Sequence, residues 1–376
     1  MIEATGEEGL TLSTAGDDHG CDQRTMVRAW WRDPVDYRWL VRTFESRGAL
    51  GPIKLIIAAA GAVMFVITVL VFVSGAGPDT AVGDAIVVVT AVFAALWAVY
   101  WWLAPWPTER GSLLFMAGAD VLITATSLAE SNRMSGALNA VLLVVTGSYF
   151  TFFHGPRMLA LHTAWSVLTV LLLAGRVWSH HTGDAALALA IVLTMATATV
   201  VVLPALHFCY WLLRVDALSD PLTGLLDRRG LDYYLSGWFA SGDATPICVM
   251  TIDLDRFKAV NDTFGHSEGD QVLIRAATCL RAAARPGSIV ARSGGEEFVV
   301  VERLTSVNEA ASEAERVRHA IAGCAASTPI TASVGVAVIE ADSTARHAEY
   351  LLAFADAAMY RAKGMGGNTV VLAEPT

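Results

Sequence analysis

The chain has 376 residues, of which 54% are hydrophobic and 16% are charged, and its formal net charge is −10. So many apolar residues with so few charges predict that part of the chain lies in lipid. The negative net charge, with no basic stripe in the C-terminal half, excludes a general nucleic-acid binder, because phosphate backbones are held by clustered Lys and Arg. The five cysteines are scattered without a CxxC spacing, so we expect thiols in a reducing compartment and neither a disulfide framework nor a thiolate metal site.

Two segments precede the first long apolar stretch. Residues 1–25 are acidic and polar without an apolar core, which predicts a disordered tail and not a signal peptide. Residues 26–52 mix aromatic side chains with arginines, which is typical of a segment that lies at the cytoplasmic surface of a membrane. An ordinary soluble helix interrupted by Pro34 is the alternative.

Six apolar stretches follow, and each is close to the roughly 20 residues that a helix needs to cross a bilayer. They occupy residues 53–213, at 53–74, 81–103, 113–129, 137–153, 156–177 and 185–213. The loops between them are short and the apolar residues do not alternate with polar ones, so we predict helices and not barrel strands. The N-terminal half is therefore predicted to be an all-α, six-helix membrane domain that senses a signal or anchors the chain.

The distribution of Lys and Arg predicts the orientation, because cytoplasmic flanks collect positive charge. An N-terminus in the cytoplasm leaves only Arg133 and Arg176 among the basic flanking residues on the outside. An even number of spans then returns the chain to the cytoplasm after Leu213, where residues 214–219 are predicted to form a short connecting helix. We therefore expect a multi-pass protein of the cytoplasmic (inner) membrane with its C-terminal domain in the cytoplasm.

Three polar side chains lie within the predicted spans, namely Asp120, His162 and His207. Ionisable groups inside a membrane are costly and often functional. Asp120 either lines a ligand cavity or couples helices, or it makes a satisfied structural hydrogen bond, and both interpretations stay open. For the two histidines we expect a structural or headgroup-level position, because no spacing resembles a metal or haem pair. The sequence does not reveal which signal or ligand this domain senses.

Residues 220–376 alternate strand-like and helical patterns in the order β-α-α-β-β-α-β-α-β. An antiparallel hairpin within a sheet covered by helices predicts an α+β sandwich of the ferredoxin-like kind. Gly294 and Gly295 separate the two hairpin strands, and we expect them to supply the positive φ angles of a two-residue turn.

Carboxylates concentrate at two predicted strand ends. Asp253 ends an apolar strand, and Glu296 and Glu297 directly follow the glycine pair. If the two strands are neighbours in the sheet, Asp253, the Leu254 carbonyl and Glu296 would offer the oxygen ligands that Mg²⁺ prefers. The helix start beyond Asp253, with Lys258, offers N–H groups and a cation to a triphosphate. Taken singly, each motif is also compatible with a solvated surface turn.

Five blocks together resemble the GGDEF family of diguanylate cyclases, and they stand in family order at 220–230, 253–270, 292–298, 332–338 and 355–368. The resemblance implies a nucleotidyl-cyclase-like fold. It also implies condensation of two GTP molecules into cyclic di-GMP, with release of two pyrophosphates and Mg²⁺, or Mn²⁺ in its place, as cofactor. Because each domain would bind one GTP, the resemblance implies that a homodimer is required for catalysis.

The resemblance also implies roles for individual residues. Asp253, the Leu254 carbonyl and Glu296 would hold the metal, and Glu296 and Glu297 would be the catalytic carboxylates, with the general base left open between them. The substrate would be bound by residues that match the family's guanine and phosphate contacts, namely Asn261, His266, Asp270, Lys258 and Lys363.

Three positions depart from the family pattern. Gly367 stands where many relatives have an Arg, which removes an expected phosphate contact. The inhibitory-site motif RxxD retains Arg285 but has Ser288 in the Asp position, so we expect weak or absent product inhibition. Ser293 replaces the usual aromatic residue before the two glycines. Two alternatives to an active cyclase are a catalytically silent GGDEF module that binds GTP or cyclic di-GMP, and a transporter with a regulatory tail.

Overall fold

The computed structural model of the chain describes residues 23–33, 35, 37–74, 77–179, 185–240, 245–324, 328–340 and 348–373. Most of the predicted disordered tail and Pro34 lie outside these residues. The chain divides into two compact units, Met26–Leu212 and a second unit that contains Leu213–Thr376. Each unit is described separately below.

Two short helices begin the first unit, α1 (Gln23–Arg32) and α2 (Tyr37–Ser46). Tyr37 and Leu40 are buried on one side of α2. The Tyr37 hydroxyl accepts a hydrogen bond from Trp106 Nε1 at 2.7 Å and donates to the Pro107 carbonyl at 3.2 Å. These contacts attach α2 to the connection between the second and third spans.

In the part of the chain that the structure describes, six helical segments are long and apolar enough to cross a bilayer, which confirms the predicted apolar helices. They are α3 (Leu50–Val73), α4 (Ala81–Leu103), α5 (Glu109–Ala129), α6 (Arg133–Asn139) with α7 (Leu142–Phe153), α8 (Pro156–Trp178), and α9 (Ala185–Ala196) with α10 (Leu203–Ala217). Thr80 and Thr108 cap α4 and α5, because each side-chain oxygen accepts from a backbone N–H of the first turn. Pro156 begins α8, where its missing N–H has no cost.

The fourth and sixth spans are irregular. Between α6 and α7 the Val141 and Leu143 amides donate to carbonyls three residues earlier, at 3.1 and 3.0 Å, so the helix is locally tightened. A π-helical turn at Thr197–Val202 joins α9 to α10 directly before Pro204. Proline lacks the N–H of a regular helix and its ring crowds the carbonyl four residues earlier, which accounts for the wider turn.

A buried polar pair lies in the interior of the first unit. Asp120 Oδ2 is 2.7 Å from His162 Nδ1, and the Thr146 hydroxyl donates to Asp120 Oδ1 at 2.6 Å. Both oxygens of Asp120 are therefore satisfied, and the pair joins α5, α7 and α8. The pairing with His162 was not predicted, although a satisfied structural hydrogen bond was one of the two interpretations of Asp120.

His207 also makes structural hydrogen bonds, as expected. Its Nδ1 accepts from Trp30 Nε1 at 2.8 Å, and its Nε2 lies 3.1 Å from the His154 carbonyl. The ring therefore carries its proton on Nε2, because Nδ1 is an acceptor. This contact attaches α1 to α10.

The second unit contains a five-stranded sheet with the strand order β2-β3-β1-β4-β5. All neighbours are antiparallel except β4 and β5, which are parallel. The elements in chain order are α11 (Arg228–Ala240), β1 (Ile247–Leu254), α12 (Phe257–Phe264), α13 (His266–Ala283), β2 (Ile289–Arg292), β3 (Glu297–Arg303), a 3-10 turn (Val307–Glu309), α14 (Ala310–Gly323), β4 (Ala332–Ile339), α15 (Ala348–Gly364) and β5 (Val370–Leu372). The predicted α+β fold and element order are confirmed, and α11 is an additional helix that was not predicted.

Both faces of β1 are buried by helices. Met250 and Ile252 are packed in one cluster with side chains of α13 and α14, and Val249 belongs to a second cluster with α11 and α15. Gly335 on β4 lets α15 cross the sheet closely, because a Cβ there would lie 2.1 Å from the Met359 amide nitrogen. This close crossing carries the C-terminal end of α15 to the end of β1.

The expectation that the scattered cysteines stay unpaired thiols is wrong for two of them. Cys279 on α13 and Cys324 directly after α14 form a disulfide, with their Cα atoms 6.4 Å apart. The two positions are separated by 45 residues and meet because α13 packs beside α14. No sequence spacing indicates such a long-range pair.

Candidate active site

The site is built around Asp253, which faces Glu297 on β3 and Ser333 on β4 in the sheet register. Asp253 is only 2% exposed. Lys363 from α15 places Nζ 2.7 Å from Asp253 Oδ2. Among the described residues, Asp253 Oδ1 has no hydrogen-bond partner. A buried carboxylate oxygen without a donor is suited to a cation that is not part of the protein.

Glu296 lies beside this pair, in the bend before β3. The Leu254 amide donates to the Glu296 carbonyl at 3.3 Å, which holds the bend against the end of β1. Burial and the negative charge of Asp253 raise the pKa of Glu296. Burial also raises the pKa of Asp253, against the opposing effect of Lys363. The carboxylates therefore form a strongly negative cluster, which Lys363 partly neutralises.

Lys363 is held in its charged form by the same cluster. Partial burial alone would lower its pKa, but the hydrogen bond to Asp253 and the charges of Glu296 and Glu297 outweigh burial and raise it. Four residues predicted from the sequence, Asp253, Glu296, Glu297 and Lys363, are thus brought together at one end of the sheet.

The hairpin between β2 and β3 differs from its prediction. Gly294 and Gly295 do not have positive φ angles, so the expected two-residue turn is wrong. The connection is longer, and the Ser293 and Gly294 amides both point to the Glu297 carbonyl, at 3.0 and 3.4 Å. A Cβ at Gly294 would lie 2.8 Å from Glu297 Oε2, so this glycine leaves room for the Glu297 carboxylate in its present position.

Arg292 fixes the hairpin from the side. Its Nη1 is 3.1 Å from both carboxylate oxygens of Asp220, and its Nη2 donates to the Gly295 carbonyl at 2.7 Å. Asp220 also accepts from the amide and the hydroxyl of Thr223, at 2.9 and 2.7 Å. Burial would raise the pKa of Asp220, but the hydrogen bonds from Thr223 and Arg292 outweigh it and lower the pKa. Neither Asp220 nor Arg292 was predicted as a site residue.

Asp255 has a structural role that sequence analysis missed. Its two oxygens accept from the Thr331 hydroxyl, the Ser333 hydroxyl and the Asn368 amide, each at 2.7 Å. Asp255 therefore ties the start of β4 to the turn after α15. Gly367 lies in this turn with φ +83°, and a Cβ there would be 2.8 Å from Asp255 Oδ1. In the sequence, Asp253 and Asp255 form a DxD pattern. This pattern does not show which carboxylate is a ligand and which is a structural anchor.

The predicted guanine and triphosphate residues lie on the two helices that follow β1. Lys258 is exposed on α12, and His266 and Asp270 are exposed in the first turns of α13. Asn261 on α12 lies against Gly269, where a Cβ would be 1.9 Å from the Asn261 side-chain oxygen. Gly269 thus allows α12 and α13 to approach closely, and this approach places Asn261 next to the backbone that carries Asp270.

The described residues contain no group of three or more His, Cys, Asp and Glu side chains that could hold a metal ion. The donors at the sheet end are the carboxylates of Asp253 and Glu296 and the backbone oxygen of Leu254. Mg²⁺ commonly binds through one or two carboxylates, with substrate phosphates completing its coordination. The residues present therefore fit a divalent ion that binds together with a nucleotide.

At the altered RxxD motif, Arg285 and Ser288 both make contacts within the domain. Arg285 Nη2 lies 2.8 Å from Glu309 Oε2 and 2.6 Å from Glu313 Oε1. Ser288 donates to the buried carboxylate of Glu302 at 3.2 Å. The guanidinium of Arg285, the part of the motif that this chain retains, is thus paired within the domain.

The family profile described as "Diguanylate cyclase, GGDEF domain" matches residues 217–369. Residues 217–369 are therefore a GGDEF domain. The probable diguanylate cyclase DgcT of Escherichia coli K12 is 37% identical over 163 residues, which are 42% of this chain and 36% of the relative. Diguanylate cyclase DgcM of the same strain is 40% identical over 162 residues, 42% of this chain and 38% of the relative. The chain thus spans less than two fifths of the length of these curated relatives.

Solved GGDEF domains are also similar to this chain. The crystal structure of the coiled coil and GGDEF domain of DgcB from Caulobacter crescentus, in complex with c-di-GMP, is 31% identical. The match covers 49% of this chain and 99% of that chain, with a TM-score of 0.43.

Proposed function

We propose that this chain is a membrane-embedded diguanylate cyclase that condenses two GTP molecules into cyclic di-GMP and releases two pyrophosphates. The observation that carries the proposal is the cluster of Asp253, Glu296, Glu297 and Lys363 at the end of the central strand, with one buried carboxylate oxygen left without a donor. The names of the curated relatives support the same activity.

Asp253, Glu296 and the Leu254 carbonyl would hold Mg²⁺ or Mn²⁺. The bound ion supplies positive charge that stabilises the oxygens of the reacting α-phosphate and of the departing pyrophosphate. In the absence of a ligand, Lys363 pairs with Asp253 and opposes the effect of burial on the pKa of that carboxyl. With nucleotide bound, its ammonium would add a second positive charge beside the phosphates.

The reaction needs a base and a second nucleotide. The 3′-hydroxyl of each GTP attacks the α-phosphate of the other, and its proton passes to Glu296 or Glu297. Because one domain binds one GTP, two domains must face each other, so the proposed active enzyme is a homodimer.

Asn261, His266 and Asp270 would contact the guanine. A carboxylate at Asp270 can accept from the N1–H and N2–H₂ groups of guanine, whereas adenine presents an acceptor at the corresponding ring nitrogen. Lys258 would neutralise part of the triphosphate charge. GTP is thereby preferred over ATP.

We further propose that both the N-terminus and the GGDEF domain are cytoplasmic, since the basic residues flanking the six apolar helices favour this orientation and GTP is a cytoplasmic metabolite. A phosphatase reporter fused after Thr376 should be inactive and a fluorescent reporter active. The opposite pattern would contradict the orientation.

The activity is tested with the purified full chain in nanodiscs, incubated with GTP and Mg²⁺ and followed by nucleotide chromatography. Cyclic di-GMP is the expected product, and EDTA should stop its formation until Mg²⁺ is restored. Glu296→Gln should lower the rate by about 100-fold or more, as expected for loss of a charge that acts on the transition state. Glu340→Gln, at an exposed site just after β4, is the matched control. Absence of product from the wild type with either Mg²⁺ or Mn²⁺ would refute the cyclase.

Gly367 is the one feature that favours the second candidate, a silent GGDEF module, because it removes a phosphate contact expected from the family. Such a module would bind GTP in equilibrium dialysis and yield no cyclic di-GMP. Binding with measurable turnover excludes it.

A further inference from the structure

The disulfide between Cys279 and Cys324 lies outside the proposed catalytic cluster. Its Cα–Cα distance of 6.4 Å falls within the range of about 4.4–6.8 Å that bridged cysteines show. The two positions therefore allow a bridge without movement of the backbone.

Both residues are partly exposed, so small thiol reagents can reach them. Cys248 provides a contrast within the same domain. It is completely buried on β1, and burial raises the pKa of its thiol, which keeps it unreactive. Accessibility and a neighbouring sulfur thus distinguish Cys279 and Cys324 from an inert core cysteine.

The bridge lies on the face of α13 that also contacts the chain leading to β4. Glu268, Arg275 and Cys279 are seven and four residues apart, a spacing that places them on one helix face. Glu268 Oε1 accepts from Arg275 Nη2 and from the Thr328 hydroxyl, both at 3.0 Å. The sulfur of Cys324 lies 3.7 Å from the Arg275 carbonyl. The bridge therefore adds a covalent link to a contact that polar groups already make.

This face of α13 is connected to the proposed guanine contacts. Asp270 follows Glu268 by two residues, and the Gly269 backbone between them touches Asn261. A change in the position or mobility of α13 thus acts directly on the residues that would hold the base.

We propose that Cys279 and Cys324 form a thiol–disulfide exchange site, and that closing the bridge strengthens GTP binding by restraining α13. The redox chemistry is independent of the proposed cyclase activity, whereas the effect on GTP rests on it. A reducing compartment keeps such a pair as dithiol, and an oxidative shift closes it.

The exchange with glutathione disulfide proceeds in two balanced steps. One cysteine thiolate attacks a glutathione sulfur, which forms a mixed disulfide and releases one glutathione thiolate. The second cysteine thiolate then attacks the protein sulfur of the mixed disulfide and releases the other glutathione thiolate. The protein loses two electrons and two protons, and glutathione disulfide takes up both as it becomes two glutathione thiols.

The chemistry is tested on the full chain in nanodiscs, equilibrated with defined ratios of reduced and oxidised glutathione and then alkylated. Mass spectrometry should find a peptide pair linked through Cys279 and Cys324 at oxidising ratios, and two alkylated cysteines at reducing ratios. Cys209→Ser, a change at an exposed cysteine of the sixth span, should behave as the wild type. The proposal is overturned if no linked pair forms, or if glutathione opens the bridge only when the domain is unfolded.

The effect on GTP is tested by measuring KM for the oxidised and reduced wild type without any substitution. The oxidised form should have a KM lower by about 3-fold, a typical size for coupling between neighbouring sites. The Cys279→Ser variant should show the higher KM of the reduced form under both conditions. Equal KM values in the two redox states overturn the restraint on α13. If neither state makes product, the cyclase proposal fails, and the mass-spectrometric result still decides the exchange site.

Discussion

Two lines of reasoning give opposite predictions for the replacement of Gly367, in the turn after α15, by arginine. By family resemblance, Gly367→Arg restores a phosphate contact and should tighten GTP binding. The backbone indicates the reverse, because Gly367 has φ +83°, a region that side chains rarely adopt. We therefore expect Gly367→Arg to destabilise the turn and to lower kcat/KM for GTP.

The size of the effect follows from two contributions. Holding a non-glycine residue at this φ costs on the order of 1–3 kcal/mol. A Cβ 2.8 Å from Asp255 Oδ1 must also displace a carboxylate that accepts three hydrogen bonds. Loss of one hydrogen bond to a charged group costs about 1.5–3 kcal/mol. Together these give roughly 2.5–6 kcal/mol, or a fall of about 5–24 °C in the thermal midpoint of a domain of about 150 residues.

The assay combines thermal unfolding of the full chain in nanodiscs with hydrogen exchange of β5 and of residues 364–369. Met365→Arg is the matched control, because Met365 is 72% exposed and its φ is not positive. It adds the same side chain two residues away and should leave the midpoint nearly unchanged. A Gly367→Arg variant with a wild-type midpoint and a lower KM would show that this turn adapts, and would refute the backbone argument.

Three further predictions concern other contacts. Arg292→Lys should raise hydrogen exchange in the hairpin and lower turnover, because lysine cannot bind Asp220 and the Gly295 carbonyl together; wild-type exchange would contradict this. The lowered pKa of Asp220 means that its contribution to stability is fully present above the ordinary value of 3.8 and is lost as the pH falls through the lower folded-state value. An acid titration of hairpin exchange should therefore show a loss of protection below pH 3.8 that is absent in Asp220→Asn. Asp120→Leu leaves His162 without its partner and should lower the thermal midpoint of the membrane unit by the equivalent of about 0.6–1.7 kcal/mol, whereas an unchanged midpoint would show that the pair is dispensable.

Local pattern was sufficient for much of the fold. The strands β1 and β4 are mostly apolar runs of eight residues, and β3 contains four consecutive apolar residues, Phe298–Val301. Their period and length leave little choice of element. The helix α11 was missed because its sequence contains Gly230 and Gly237, which weaken a helical pattern that packing then overrides.

The candidate site was predictable only in part. Asp253 and Glu296 could be paired because each stands at the end of an apolar strand, and neighbouring strands bring such ends together. Asp220 and Arg292 are 72 residues apart, and Asp255 and the Asn368 amide 113 apart. Contacts of this kind are set by tertiary packing and leave no mark on local spacing, which also explains why the Cys279–Cys324 bridge escaped prediction.

The π-helical turn at Thr197–Val202 has a consequence for insertions and deletions. Each residue of a regular helix advances the side-chain direction by about 100°, so a wider turn shifts the angular phase of everything that follows in the same helix. Trp211 and the helix as far as Ala217 therefore point in directions that a straight continuation of α9 would not give. Deleting a single residue within this turn, together with Pro204→Ala, would let the helix relax to regular geometry while keeping that phase. Deleting a residue after Pro204 would instead rotate the part of the helix that follows. Tolerance to a one-residue deletion should therefore change abruptly at Pro204.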